Sequence, residues 1–364
     1  MILVAKVGTS SVTTSEGQVD KAAVAKLCNE VAALRARDQQ VVLVTSGAIA
    51  AGLPALGFPA SAAGCDLATL QAVSAVGQSR LMRVYDDTLS DLGLVAGQVL
   101  LAPLDFVHRQ QYLHARQTLT RLLELGVVPV VNENDAVADD EIRFSDNDRL
   151  AALVAHLVGA DLLVLLTDAP GLLSADPRRD PTASLIEEVA EVDEQLERAA
   201  GGAGTRRASG GMASKLAAAR MAAWSGVEVV IAAADRPDVL SAAVLRQPGI
   251  GTLVRARPRR LPARKLWIAF AVPSLGTIVV DQGARRAVIE QGTSLLPAGV
   301  VGIRGDFEAD DAVEIVDAGG RVFAKGLARL PARRAPDWLG KRTGDLPGDL
   351  AHEVVHRDDL VVLD

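Results

Sequence analysis

Several things are scarce in this sequence, and each scarcity excludes a class of protein. Cysteine occurs twice in 364 residues, as Cys28 and Cys65, with no CxxC pair and no Cys/His cluster. A disulfide framework and a structural zinc site therefore have no basis, and both thiols are expected to be reduced. Aromatic residues make up 3% of the chain, so Ala, Val and Leu must fill its core. No run approaches the ~18 consecutive apolar residues of a membrane-spanning helix, and the apolar stretch from Met1 to Gly8 is too short for a signal peptide. No membrane association is expected, and the cytoplasm is the expected compartment. Positive charge is also short, with 38 Lys and Arg against 45 Asp and Glu and a net charge of -7. That balance argues against a protein whose main task is wrapping nucleic acid.

What is present suits two domains, because a single core rarely grows past about 250 to 300 residues. From Met1 to about Arg255, short apolar runs rich in Val, Ile and Leu alternate with helical patterns, the signature of parallel strands joined by helical crossovers. The runs are 2–7, 40–45, 94–101, 127–132, 161–167 and 228–233, each apolar through its length as a strand buried on both faces should be. Asp20 is a candidate N-cap for a helix over 21–37, in which Val24, Leu27, Val31 and Leu34 recur at helical spacing. Further helices are expected at 67–92, 113–125, 148–158 and 212–224. Between Ala256 and Lys265, five residues are Arg or Pro before Arg264 adds a sixth, which reads as a linker. Beyond it, the short runs 277–280, 300–303, 312–316 and 322–324, with one helical piece at 284–291, suggest a small, mostly β domain. From Leu275 to Asp364 there are 11 Lys and Arg against 15 Asp and Glu, the wrong sign for tracking phosphates.

Ligands of open parallel sheets bind at the carboxyl ends of the strands, so function is sought just after each apolar run. Lys6 lies inside the first run, directly before Gly8-Thr9-Ser10-Ser11, and a buried lysine is costly unless its ammonium meets an anion. The second run ends in Thr45-Ser46-Gly47-Ala48, where a helix start offers backbone N–H groups, although an ordinary cap reads the same way. Asn132-Glu133-Asn134-Asp135 and Ser145-Asp146-Asn147-Asp148 are dense polar clusters that suit an amino acid's ammonium or Mg²⁺, or else a turn and an N-cap. Thr167-Asp168 ends another run. Ser209-Gly210-Gly211-Met212-Ala213-Ser214-Lys215 shares parts of a phosphate cradle, yet it lacks the GxxxxGK[ST] spacing. Two distant lysines, glycine-rich helix starts and several carboxylates, with no Ser/His/Asp pattern, fit phosphoryl transfer, which works by positioning and charge neutralisation.

Together these segments resemble the amino acid kinase family, within it the branch that phosphorylates the side-chain carboxylate of free glutamate. The resemblance rests on Val4 to Ser10, Val44 to Gly52, Ala75 to Arg80, Val131 to Val137, Asp146 to Asp148, Leu165 to Asp168 and Gly210 to Lys215. Gly292 to Gly299 resembles the PUA-type module appended in that branch. The resemblance implies a three-layer αβα sandwich with a mainly parallel sheet over 1–256, a linker over 257–274 and a mostly β PUA-like domain over 275–364. It assigns Lys6 and Lys215 to the phosphoryl group with Asp148 orienting both, and Ser46, Asp135 and Asn147 to glutamate. Lys6, Gly8, Thr167, Asp168, Ser209, Gly210, Gly211, Met212, Ala213, Ser214 and Lys215 would line the ATP site, with Gly47 giving close backbone approach. ATP and Mg²⁺ are implied, the metal without protein side chains, together with proline as feedback inhibitor and a dimeric or tetrameric assembly. The chain departs from the usual pattern at Ala208-Ser209, where the family often has Gly-Thr, and at Ala5, where a β-branched residue is usual.

Overall fold

A computed structural model describes residues 1–59, 64–102, 105–106, 108–137, 147–177, 180–193, 196, 211–258, 260–348 and 352–363. The chain divides into two units, Met1–Arg260 and Leu261–Asp364. Among the described residues no helix is long and apolar enough to cross a membrane.

The first unit is built on an eight-stranded sheet of β1 (Ile2–Val7), β2 (Gln40–Val44), β3 (Ala96–Leu101), β4 (Val128–Glu133), β5 (Leu162–Thr167), β6 (Glu188–Val189), β7 (Glu228–Ala233) and β8 (Thr252–Val254). Its order is β3-β4-β2-β1-β5-β7-β8-β6, and every neighbouring pair is parallel except β7 with β8. The crossovers include α1 (Lys21–Arg35), α2 (Ala48–Gly52), α3 (Leu67–Asp91), α4 (Arg109–Glu124), α5 (Asn147–Val158), α6 (Met212–Trp224) and α7 (Val239–Val244). Asp20 caps α1, its carboxylate accepting from the Ala22 and Ala23 N–H groups at 2.9 and 3.0 Å. Asp66 caps α3 in the same way through Thr69.

Side chains alternate across a strand, and the alternation separates the layers. Leu3, Ala5 and Val7 of β1 join one core cluster with Val24, Leu27 and Val31 of α1, Leu81 and Tyr85 of α3, and Val239 and Leu240 of α7. Val4 and Lys6 face the opposite side, where α5 lies against β1 and α6 packs on α5. Cys28, buried in the first cluster, is a free thiol that burial pushes up to about 12, and Cys65 is free as well.

Two sequence expectations need correction. The 94–101 run is not buried on both faces. It forms β3 at the edge of the sheet, starting at Ala96 with Gln98 exposed and only Leu101 buried. An apolar run cannot reveal that a strand has one neighbour instead of two. The helix expected from Leu113 begins at Arg109, because its first turn is polar and carries no apolar periodicity. The strands β6 and β8 and the helix α7 gave no signal, being two, three and six residues long.

The second unit opens with α8 (Ala263–Leu266) and a π-helical turn over Trp267–Ala271, both within the stretch expected as a connector. Its sheet contains β9 (Gly276–Val280), β10 (Val300–Gly305), β11 (Ala312–Val316), β12 (Val322–Ala328) and β13 (Val355–Val362) in the order β10-β9-β11-β12-β13. Only β9 and β11 pair parallel. Ile278, Val280, Ile315, Phe323 and Trp338 are among its core residues. The last strand was not anticipated, since His356 to Asp359 interrupts its apolar pattern.

Candidate active site

The register of β1 determines what Lys6 can meet. Sharing a face with Val4, the side chain points beneath α5 and is 2% exposed. An ammonium so far from water requires an opposite charge. Asp148, the second residue of α5 and fully buried, provides it, with Lys6 Nζ 2.6 Å from Oδ1. The other oxygen of the same carboxylate is 3.0 Å from Nζ of Lys215, the fourth residue of α6. Because α5 and α6 pack together with their N-termini at the carboxyl edge of the sheet, residues 6, 148 and 215 converge despite their separation in sequence. The position of Asp148 in the first turn of α5 also places its negative charge at the favourable end of that helix dipole. Ser214 donates its hydroxyl to the Gly211 carbonyl at 2.8 Å and lies 3.3 Å from Asp148 Oδ2. Gly8 borders the cluster, since a Cβ built there would lie 3.7 Å from Lys6 Nζ.

Beside this ionic cluster lies a group of neutral amides. Pairing of Val44 with Val131 sets the ends of β2 and β4 side by side, and the Thr45 N–H donates to the Val131 carbonyl at 2.9 Å. Asn147, the first residue of α5, reaches across both strands. Its Nδ2 lies 2.6 Å from the Thr45 carbonyl, 2.8 Å from Asn132 Oδ1 and 3.0 Å from the Ser46 hydroxyl. Asn132 in turn donates Nδ2 to Gln78 Oε1 of α3 at 2.7 Å. Ser74, one turn earlier on α3, donates to Asp135 Oδ2 at 3.3 Å. The Tyr85 and Thr45 hydroxyls are 3.0 Å apart, and burial holds the Tyr85 phenol above its ordinary range.

Glycines let α3 come this close. A Cβ on Gly77 would stand 1.8 Å from the Ala48 carbonyl oxygen of α2, and one on Gly52 would stand 2.0 Å from the Val73 carbonyl oxygen. Gly47, before α2, has φ +101°, a conformation that L side chains rarely adopt.

Of the residues singled out in the sequence, Lys6, Asp148, Lys215, Ser214, Asn147 and Ser46 are linked by these contacts. Gly211 is the N-cap of α6, and Met212 and Ala213 form its first turn. Asp135 opens the turn after β4 and is tied to α3. Thr167 ends β5, next to β1, and its hydroxyl donates to Asp168 at 3.0 Å. Ser209 and Gly210 lie outside the described residues, as does Asp146. Gln78 and Ser74 carry no assigned role in the sequence, and Asn132 and Thr45 stand there only as members of candidate clusters. Gln78 and Asn132 stood inside segments carrying the family resemblance, but an amide on a helix or at a strand end does not announce its partner.

The fold and this arrangement define a class. The chain belongs to the amino acid kinase family, whose model matches residues 1–233, and a PUA domain model matches residues 276–344. Among relatives, the protein named glutamate 5-kinase in Frankia casuarinae is 48% identical, the alignment covering 99% of this chain and 96% of the relative. Those so named in Streptomyces coelicolor and Moorella thermoacetica are 46% and 45% identical, each alignment covering 99% of this chain and 96% of the relative.

Proposed function

We propose that this chain transfers the terminal phosphoryl group of ATP to the side-chain carboxylate of L-glutamate, giving L-glutamyl 5-phosphate, the first step of proline biosynthesis. The observation that carries the reading is the convergence of Lys6 and Lys215 on the two oxygens of buried Asp148 at the carboxyl edge of the parallel sheet. Relatives named glutamate 5-kinase along nearly the whole chain support the choice of acceptor.

The chemistry suits such a site. A glutamate side chain, with an ordinary pKa near ~4.3, is already ionised at neutral pH and needs no general base. A carboxylate oxygen bonds to the γ-phosphorus while the bond from phosphorus to the β–γ bridging oxygen breaks and ADP departs. The barrier is repulsion between two anions, which fixed positive charge lowers. In this reading Lys6 and Lys215 lie against the phosphoryl oxygens, Asp148 keeps them side by side, and Gly8 and Gly47 admit the phosphates close to the backbone. Ser46, Asp135 and Asn147 hold glutamate. Thr167, Asp168 and the 209–215 segment line the nucleotide.

Mg²⁺ would add charge neutralisation to the phosphates. Both Asp148 oxygens are engaged by lysines, and no group of three or more His, Cys, Asp or Glu among the described residues could hold a metal. In this reading phosphate oxygens and water carry the ion. The reading also includes proline as an inhibitor, a dimeric or tetrameric assembly and a cytoplasmic location.

The test is turnover. Purified protein with Mg-ATP and L-glutamate should release ADP and, with hydroxylamine, yield the γ-hydroxamate. No hydroxamate above a Lys6→Ala control would rule the proposal out. Replacing glutamate by N-acetylglutamate, aspartate or a nucleoside monophosphate should abolish the signal.

A further inference from the structure

The amide group beside the ionic cluster has a sense of direction. Asn147 Nδ2 lies 2.6 Å from the Thr45 main-chain oxygen, and a main-chain carbonyl can only accept. The Asn147 amide therefore has one permitted orientation, nitrogen toward β2. The Asn132 atom 2.8 Å from that nitrogen must accept, so it is the oxygen, which turns the Asn132 nitrogen toward α3. At 2.7 Å the facing Gln78 atom must accept in turn and is Oε1. One immovable carbonyl thus sets three amides in series, and burial enforces the order. Asn132, Asn147 and Gln78 are 1, 7 and 8% exposed, so a reversed amide would set donor against donor with little water to intervene.

The chain of amides ends at Asn147. Its nitrogen is committed, with three acceptors within 3.0 Å for two hydrogens. Its oxygen accepts no hydrogen bond among the described residues and is not among the fully buried unpartnered atoms. What Asn147 offers a ligand is an acceptor of fixed direction, beside the lysines that face the phosphoryl group.

We infer that Gln78 is a positioning residue for recognition of the substrate's α-ammonium group. It orients Asn132, and Asn132 holds Asn147 with its oxygen presented to an N–H donor. The inference rests on the glutamate reading above and deepens it, because a charged primary ammonium with three N–H donors binds an accepting carbonyl more strongly than the single neutral N–H of an acylated nitrogen. Gly77 belongs to the same device, since only a residue without a Cβ lets α3 press on α2 and bring Gln78 to β4.

The test is steady-state kinetics on the full chain. Gln78→Leu keeps the side-chain volume but removes the acceptor. It should raise KM for glutamate by about tenfold or more, leave KM for ATP unchanged, and reduce the preference for glutamate over N-acetylglutamate. Gln78→Glu, which keeps an oxygen at the same place, should recover most of the loss. In an Asn147→Ala background, Gln78→Leu should add nothing further, although the side chains at 78 and 147 are linked only through Asn132. A lowered Tm with an unshifted glutamate KM would overturn the inference alone, as would full additivity with Asn147→Ala. Absence of glutamate-dependent turnover in the unsubstituted chain would overturn the glutamate reading and this inference with it.

Discussion

The two halves of the candidate site are held together by different physics. In one half, Lys6 and Lys215 converge on Asp148, and the interaction is strong at short range but nearly indifferent to direction. In the other, Gln78, Asn132 and Asn147 carry no charge, and all their value lies in which end of each amide faces which. Charge suits a phosphoryl group whose charge is spread over several oxygens. Direction suits discrimination between an ammonium and an amide. The contrast explains why the ionic half should govern turnover and the amide half acceptor affinity.

The largest break in that contrast is Asp148→Asn. It leaves two buried ammonium groups without their shared carboxylate, so turnover should fall by about a thousandfold or more and stability by about 3–5 kcal/mol. Urea unfolding followed alongside ADP release measures both. Next comes Lys215→Ala, expected to lower kcat by about 100- to 1000-fold with little change in glutamate KM. A rise in KM equal to the fall in kcat would erase the proposed division of labour.

Gly77→Ala acts only on the amide half. A Cβ at 1.8 Å from the Ala48 carbonyl forces α3 away from α2, costing about 3 kcal/mol and raising glutamate KM while the ATP KM holds. Thermal unfolding and a two-substrate kinetic grid would separate these effects.

The smallest effect sharpens the comparison by leaving both halves intact. His156 lies in the last turn of α5, whose first residues are Asn147 and Asp148. Burial, followed by the charges of Arg116 and Arg260, lowers its pKa from 6.5 to about 4, and the ring of Tyr112 lies 6.5 Å from its own. The folded state thus resists protonation that the unfolded state accepts. The associated stability is complete above pH 6.5 and is lost as pH falls toward 4, by up to about 3 kcal/mol. His156→Phe should flatten the dependence of urea midpoints on pH in that window without altering either KM.

Much of the fold could be read from the chain. The buried runs of β1, β2, β4, β5 and β7 are predominantly apolar, and Asp20 marked the start of α1, because burial on both faces and capping chemistry are local properties. Strands of two or three residues carry no periodicity, and the edge position of β3 depends on a neighbour's absence. Within the site, Lys6 stood out because a lysine in an apolar strand is anomalous by itself. Gln78 did not, because its meaning is a partner 54 residues away on another element.

By itself the sequence determined the longer buried strands and most of the longer helices, where charge and glycine interrupt them, and hence which strand ends carry chemistry. Only the tertiary structure decided that the amines at positions 6 and 215 share one carboxylate, and that three amides point in one sense from the Thr45 carbonyl to α3. The reason is range. Periodicity and capping act over a few residues, whereas ion pairing and amide orientation depend on distances and angles that exist only once β1, β2, β4, α3, α5 and α6 have packed together.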